Sequence, residues 1–511
     1  MRAQAAPGTA AVLTLSLGNA IAIGDPALLS SNIAVIRNDL QLSLSTASLV
    51  AAGAFLTLAA TILGAGAMGD KFGGRRMLLV GACGAVAFGL LTAAAPNVVV
   101  LVGARVGAGV SFGFLLCLSL AIVNAAFPPE RIPRAIALFV AATTALAIVP
   151  PIVGSLLIDH FGWRSGFLVT PTLALILIAL AVRLVPETPR SDRSPDVIGM
   201  LLAAVSLIPL LLGISRLQEG LSPAVLIPIV VGLLGAGVFW WWESHTAVPA
   251  LDPRIFRSAG FSAATVAAAV YAFVMGGSGA LLTSYIVIVR GAPATALHLL
   301  YIPGALLAAL TAIVAGRLAA RYGGSAVMVG GLLLLAAAMA TRFLASDHTA
   351  MSIVALMMAA GAIAGAVVQT ALTTVLMTSA PARFGGVVSA LRSNVQSTAY
   401  AFGSAFFPLL GVTLFGLMGG RKFAGEGVTA EQARDILRVS HLHGASQSIP
   451  SVHLHDPQRT EWVISAARST WMDVGRTLSV TMSVALLAAA GLTLAILRPD
   501  RAPRGRGIGR D

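Results

Sequence analysis

One carboxylate and one guanidinium fall deep inside long apolar runs of this sequence. Asp25 stands in the stretch Gly24-Asp25-Pro26-Ala27, and Arg105 interrupts the run from Val98 to Ala126. An apolar surrounding favours the neutral acid, whereas a neighbouring guanidinium favours the carboxylate. A carboxyl caught between these two pulls can take up and release a proton. Pro26 removes a helical hydrogen bond and disfavours helical dihedrals at Asp25, so a bend that frees backbone carbonyls is expected there. A static ion pair that only fixes packing is the other reading of the same two residues. Pro150 and Pro151, with Gly154 just after them, predict a kinked and closely packed helix with a gating role. Tyr285, His298, Tyr301, Gln369, Asn394 and Gln396 lie in later apolar runs. Each can hydrogen-bond a ligand or a neighbouring helix.

The elements that hold these residues follow from composition. Of 511 residues, 57% are hydrophobic and only 10% are charged. A soluble chain carries roughly 25% charged residues, so most of this chain has lipid as its solvent. Fourteen apolar runs are long enough to cross a bilayer, near 11–33, 46–68, 77–95, 98–126, 135–158, 165–184, 197–214, 223–242, 260–289, 295–315, 325–345, 350–378, 387–418 and 475–497. The fold class is therefore all-α and polytopic. In that setting Asp25 and Arg105 are functional residues by default, because ionisable groups at membrane depth are costly. Span one runs outward and span four inward. At 1.5 Å per residue both side chains lie roughly 10 Å below the outer surface.

The net charge is +13, but the basic residues form short clusters between apolar runs rather than one basic face. That pattern excludes nucleic acid as a partner. It also sets the orientation. With the N-terminus cytoplasmic, inner segments hold clusters such as Lys71, Arg75 and Arg76, then Arg131 and Arg134, then Arg183, Arg190 and Arg193, together with the C-terminal tail. The short outer loops hold only Arg37, Arg164, Arg216, Arg290 and Arg342. The N-terminal run reads as a retained span rather than a cleaved signal. Cys83 and Cys117 sit in separate apolar runs as small packing residues.

The loop after span two reads Gly66-Ala-Met-Gly69-Asp70-Lys71-Phe-Gly73-Gly-Arg75-Arg76. Glycine lets helices approach closely, and Asp70 is a fixed charge that can meet a helix N-terminus or a basic side chain. Such a contact can hold the cytoplasmic side shut and then break. A shorter echo, Ala315 to Gly324, follows span ten. The two pieces lie eight spans apart, so a duplicated six-helix unit is interrupted by two extra spans. The loop closely resembles the cytoplasmic signature of the major facilitator superfamily. The six-plus-two-plus-six layout resembles that family's fourteen-span drug/proton antiporter branch, as do His160-Phe-Gly-Trp163-Arg164, Glu243…Pro249…Phe256 and Tyr285…Arg290-Gly291-Ala-Pro293…Pro303. The resemblance covers nearly the whole chain. It implies two six-helix bundles around a central cavity, two peripheral helices, and proton-driven export of small lipophilic or cationic compounds.

The sequence departs from that branch at Gly24–Ala27, at Val149-Pro150-Pro151-Ile-Val153-Gly154, and at Ala108, where the branch has Gln. An importer or facilitator on the same scaffold, and a membrane receptor without transport, remain open beside the exporter. The expected organisation is an N-terminal bundle in 1–190, a two-helix insert and linker in 191–257, and a C-terminal bundle in 258–511. The last includes an outer loop at 419–474. That loop carries a capping box at Thr429–Gln432. His441, His443, His453, His455 and Asp456 also lie there. Imidazoles on facing strands could hold zinc or copper, but nothing fixes that geometry, so a solvated loop is expected and no metal or cofactor is assigned. The partners are protons, a small-molecule substrate and the bilayer.

The charge asymmetry places both termini inside and the 419–474 segment outside. A cysteine introduced at Ser446, with Cys83 and Cys117 changed to serine, is expected to react with an impermeant maleimide in intact cells. Reaction only after permeabilisation would overturn the topology.

Overall fold

A computed structural model describes residues 8–496, apart from 43, 189, 191–195, 217–221, 247–255, 257, 291–294, 347, 380–384 and 425–456. Its elements are helices, and no strand occurs among the described residues. In lipid every backbone N–H and C=O must be satisfied within the segment, and helices do this. Fourteen segments are long and apolar enough to cross a membrane.

The first half contains α1 (Thr9–Asp39), α2 (Leu44–Phe72), α3 (Gly74–Ala93) and α4 (Val98–Ala126). It continues with α5 (Ile132–Leu146), α6 (Val149–Phe161), the single turn α7 (Trp163–Gly166) and α8 (Val169–Leu184). Helices α5 and α6 together make one span, Ile132–Phe161. Helices α9 (Val197–Ser215) and α10 (Pro223–His245) form the inserted pair. The second half contains α11 (Ala259–Ser284), α12 (Thr295–Tyr322), α13 (Gly324–Thr341), α14 (Met351–Thr378), α15 (Gly385–Ala424) and α16 (Pro457–Ile496).

The duplication read from the sequence is visible in the packing. Helix α2 packs on α4 as α12 packs on α14, and α3 packs on α4 and α8 as α13 packs on α14 and α16. The turns that begin α3 and α13 correspond in backbone conformation as well. Gly73 has φ of 104° and Gly323 has φ of 88°, a region that side chains with a Cβ rarely occupy. Between the halves, α15 packs on α2 and α4, while α12 packs on α5. The Ser389 hydroxyl donates to the Cys117 carbonyl at 2.9 Å, a hydrogen bond between α15 and α4. Helix α9 packs on α10, α2 and α15, and α10 is a peripheral span with only 11% of its apolar window buried.

Apolar side chains give no net drive between helices in lipid, so close van der Waals packing carries the assembly. Small residues set it. A Cβ at Gly403 would fall on the Phe273 carbonyl, and one at Gly276 on the Tyr400 carbonyl, so α11 and α15 are in backbone contact. Gly403→Ala is expected to lower the melting temperature of the detergent-extracted protein, by about 1–3 kcal/mol of overpacking. Gly330→Ala, where the space is open, leaves it unchanged or slightly raised. Equal melting of both variants would refute the backbone contact.

Candidate functional site

Asp25 and Arg105 meet where α1, α4 and α8 converge. Arg105 Nη2 lies 2.6 Å from Asp25 Oδ1, and both side chains are 1% exposed. The Thr170 hydroxyl, on α8, donates to Asp25 Oδ2 at 2.5 Å. Arg105 Nε and Nη1 have no hydrogen-bond partner among the described residues. The Phe167 ring lies 5.8 Å from the guanidinium carbon. The pair is therefore held by charge, with donors left over. Such a pair is not a stability device, because desolvation of two ions offsets their attraction.

Helix α1 continues through Pro26, rather than breaking at the proline. The break lies across the interface instead. Helix α5 ends at Leu146, and α6 begins at Val149 with Pro150 in its first turn. Gly24 sits against this break: a Cβ there would lie 2.7 Å from Pro150 Cγ and 2.9 Å from the Ala147 carbonyl. Gly154 likewise fits against Leu28. Asn32 Nδ2 donates to Ser155 Oγ at 3.0 Å, and Asn19 Nδ2 reaches Thr143 Oγ1 at 3.5 Å. Pro150 and Gly154 thus touch the same stretch of α1 that carries Asp25.

Glu187 organises the Gly66–Arg76 loop. Its Oε1 accepts the Arg75 amide at 3.0 Å, and its Oε2 lies 3.9 Å from Arg75 Nε and 3.8 Å from Arg76 Nε. Thr188 Oγ1 accepts the Gly74 amide at 2.8 Å. A carboxylate and a hydroxyl thus cap the positive end of α3. Asp70 takes none of these basic partners and makes no ion pair among the described residues. It lies within electrostatic reach of Cys117, whose carbonyl accepts Ser389 of α15, and Gly69 sits against Leu118. Asp70 thus occupies the corner shared by α2, α4 and the first turns of α15. Lys71 stacks over Phe72, 5.4 Å from its centroid. At the opposite end of the bundle, Asp39 accepts Trp163 Nε1 at 2.7 Å and Arg164 Nη1 at 3.1 Å. The Trp163 bond first, then that from Arg164, holds the Asp39 carboxyl below its ordinary range. These contacts persist at neutral pH and weaken only as acid protonates Asp39 below its usual pKa of 3.8.

In the second half, Gln369 and Gln396 exchange hydrogen bonds at 2.9 and 3.4 Å. Asn394 is buried, and its Oδ1 has no hydrogen-bond partner. The Tyr285 hydroxyl is committed to the Ser346 carbonyl at 2.9 Å. Tyr301 is 51% exposed. The His298 side chain and the outer histidines with Asp456 lie outside the described residues. Among the described residues no group of three His, Cys, Asp or Glu side chains converges. Thr170, Glu187, Tyr271, Tyr400, Arg342 and Arg392 are the residues that sequence reasoning passed over.

Residues 15–404 match the model of the Major Facilitator Superfamily. The chain belongs to the major facilitator superfamily. Among sequence relatives of this family member, Multidrug efflux pump LfrA of Mycolicibacterium smegmatis is 28% identical, over 74% of this chain and 75% of that protein. The Tetracenomycin C resistance and export protein of Streptomyces glaucescens is 26% identical, over 92% of this chain and 87% of that one. Among solved structures, the human organic anion transporter MFSD10 (TETRAN) superimposes with a TM-score of 0.60. It is 16% identical, over 95% of this chain and 98% of that chain, a likeness of fold alone.

Glu187→Gln and Asp70→Asn each remove one cytoplasmic charge without changing shape. Both variants are expected to insert normally, with a stability loss of at most about 1 kcal/mol for the partly exposed Glu187 contacts, and to transport several-fold more slowly. Counterflow of bound compound in proteoliposomes measures this. Full transport by both would remove the gating role of the loop.

Proposed function

We propose that this member of the superfamily couples proton entry to the export of small lipophilic compounds across a bacterial cell membrane, with both termini in the cytoplasm. The observation that carries this reading is the buried Asp25, held between Arg105 and Thr170. Relatives named as an efflux pump and as a resistance and export protein support the direction of transport.

The arrangement supports a two-state cycle. With Asp25 ionised, its charge offsets that of Arg105. When a proton reaches the carboxylate, the pairing ends and the guanidinium turns to other acceptors. The Thr170 hydroxyl can serve both forms, donating to the carboxylate or accepting from the acid. Gly24 links the change to the α5–α6 break through Pro150 and the Ala147 carbonyl. Span five is therefore the element that protonation moves, and Pro150, Pro151 and Gly154 are its hinge. The Gly66–Arg76 loop, with Asp70 beside α15 and Glu187 on its arginines, closes the cytoplasmic face in one state and releases it in the other.

Asp25→Asn keeps volume and hydrogen bonding but cannot ionise. It is expected to abolish flux driven by a proton gradient while leaving counterflow of bound compound largely intact. A purely structural pair predicts a different result. Removing one partner then strands the other, at about 3–5 kcal/mol, so the melting temperature and counterflow fall together. Driven flux and melting are measured on one preparation, in vesicles with the gradient imposed in either direction. Normal driven flux in Asp25→Asn would exclude the carrier role, and flux in the inward direction would exclude export.

A further inference from the structure

The two halves treat charge differently. In the first half, Arg105 has Asp25 within 2.6 Å. In the second half, Asp347 is the only carboxylate in the sequence between Asp252 and Glu426. Arg342 closes α13 inside the span Gly324–Leu344, and Arg392 lies roughly two turns into α15, inside the span Val388–Gly419. Neither makes an ion pair among the described residues, and the Nε of each is buried without a hydrogen-bond partner. Arg342 has one neutral contact, donating to Ser278 Oγ at 2.6 Å. Guanidinium groups at membrane depth without a counter-charge are costly and mark substrate paths.

Three phenols link the two arginines. Arg392 acts electrostatically on Tyr271, Tyr271 on Tyr301 and Tyr400, and Tyr301 on Arg342. The side chains come from α11, α12, α13 and α15, and by position they climb from the cytoplasmic end of α15 to the outer end of α13. Tyr301 and Tyr400 are 51% and 49% exposed on the protein's own surface. At the outer end, Arg342 lines a recess of about 70 Å³ together with Leu281, Met358, Trp471 and Arg476. Arg476 is neutralised by Asp473 at 3.3 Å. The recess therefore offers an apolar and aromatic wall beside the Arg342 guanidinium, which has no ion-pair partner among the described residues.

We propose that Arg392, Tyr271, Tyr400, Tyr301 and Arg342 form a cationic and phenolic ladder that recognises amphipathic anions, with an aromatic or hydrocarbon body and a carboxylate or sulfonate head. The proposal rests on the export reading and specifies the charge of what is exported. A guanidinium pairs with such a head through charge-assisted hydrogen bonds, and phenol hydroxyls donate to it between the two arginines. A cation meets only like charge along this path.

The test uses the full chain in phosphatidylcholine vesicles with a proton gradient. The probes are 8-anilinonaphthalene-1-sulfonate, an amphipathic anion, and rhodamine 6G, an amphipathic cation. The wild type is expected to accumulate the sulfonate, and Arg342→Gln and Arg392→Gln to lower that flux at least tenfold. Arg342→Lys should restore part of it, which separates charge recognition from misfolding. The sulfonate should raise the melting temperature of the wild type and not of Arg342→Gln. Driven transport of rhodamine 6G, with no binding or transport of the sulfonate, would overturn the anion proposal and leave export standing. Sulfonate binding lost in Arg342→Gln, without driven flux of either dye, would uphold the ladder and overturn export. Phosphatidylglycerol that displaces the sulfonate completely would show the ladder to be a lipid-headgroup site and overturn the proposal as a substrate path.

Discussion

A bilayer offers no water to a buried charge, and this constraint orders everything else in the molecule. It makes each crossing a helix, because only an element with its own hydrogen bonds can span lipid. It makes every ionisable group at depth a matter of compensation. In the first half the answer is an ion pair, Asp25 with Arg105, finished by Thr170. Helices α1, α4 and α8 meet at this contact. The glycines that let α1 lie against the span-five break place the mechanical weak point beside the electrostatic one.

The second half repeats the helix packing of the first but not its charges. The turns at Gly73 and Gly323 share a backbone conformation, yet Ala320 stands in the later loop where an acid would complete the signature. Glu187 fastens Arg75 and Arg76 in the first half. A duplicated scaffold thus carries different side chains in its two halves: the Asp25–Arg105 pair and the Glu187 contacts in one, a run of phenols and arginines in the other.

The fold was largely legible because its signal is long. Runs of twenty apolar residues survive any uncertainty in their ends, and the Gly66–Arg76 signature fixes one loop outright. The depth of Asp25 and of Arg105 followed from counting residues along two helices of opposite direction. Thr170 was not legible, because a threonine in an apolar helix ordinarily bonds back to its own backbone, as Thr172 does to Leu168. Glu187 looked like a linker acid after the sixth span. Arg342 and Arg392 were read only as orienting charges at the ends of the runs 325–345 and 387–418. They stand near the ends of their apolar runs, and the helices carry them inside the spans. Helix α1 runs on through Pro26. Where neighbouring helices support the backbone, a proline need not end a helix, and the visible break falls at Pro150 instead.

The inserted pair has a consequence for lateral access. The halves join along two seams, α2 against α15 and α5 against α12. Helix α9 lies on both α2 and α15, with α10 outside it. No helix pair lies across the α5–α12 seam in this way among the described residues. One flank is therefore roofed and the other bare. A compound dissolved in the bilayer therefore meets two unlike flanks, one carrying two additional helices and one formed by the seam alone.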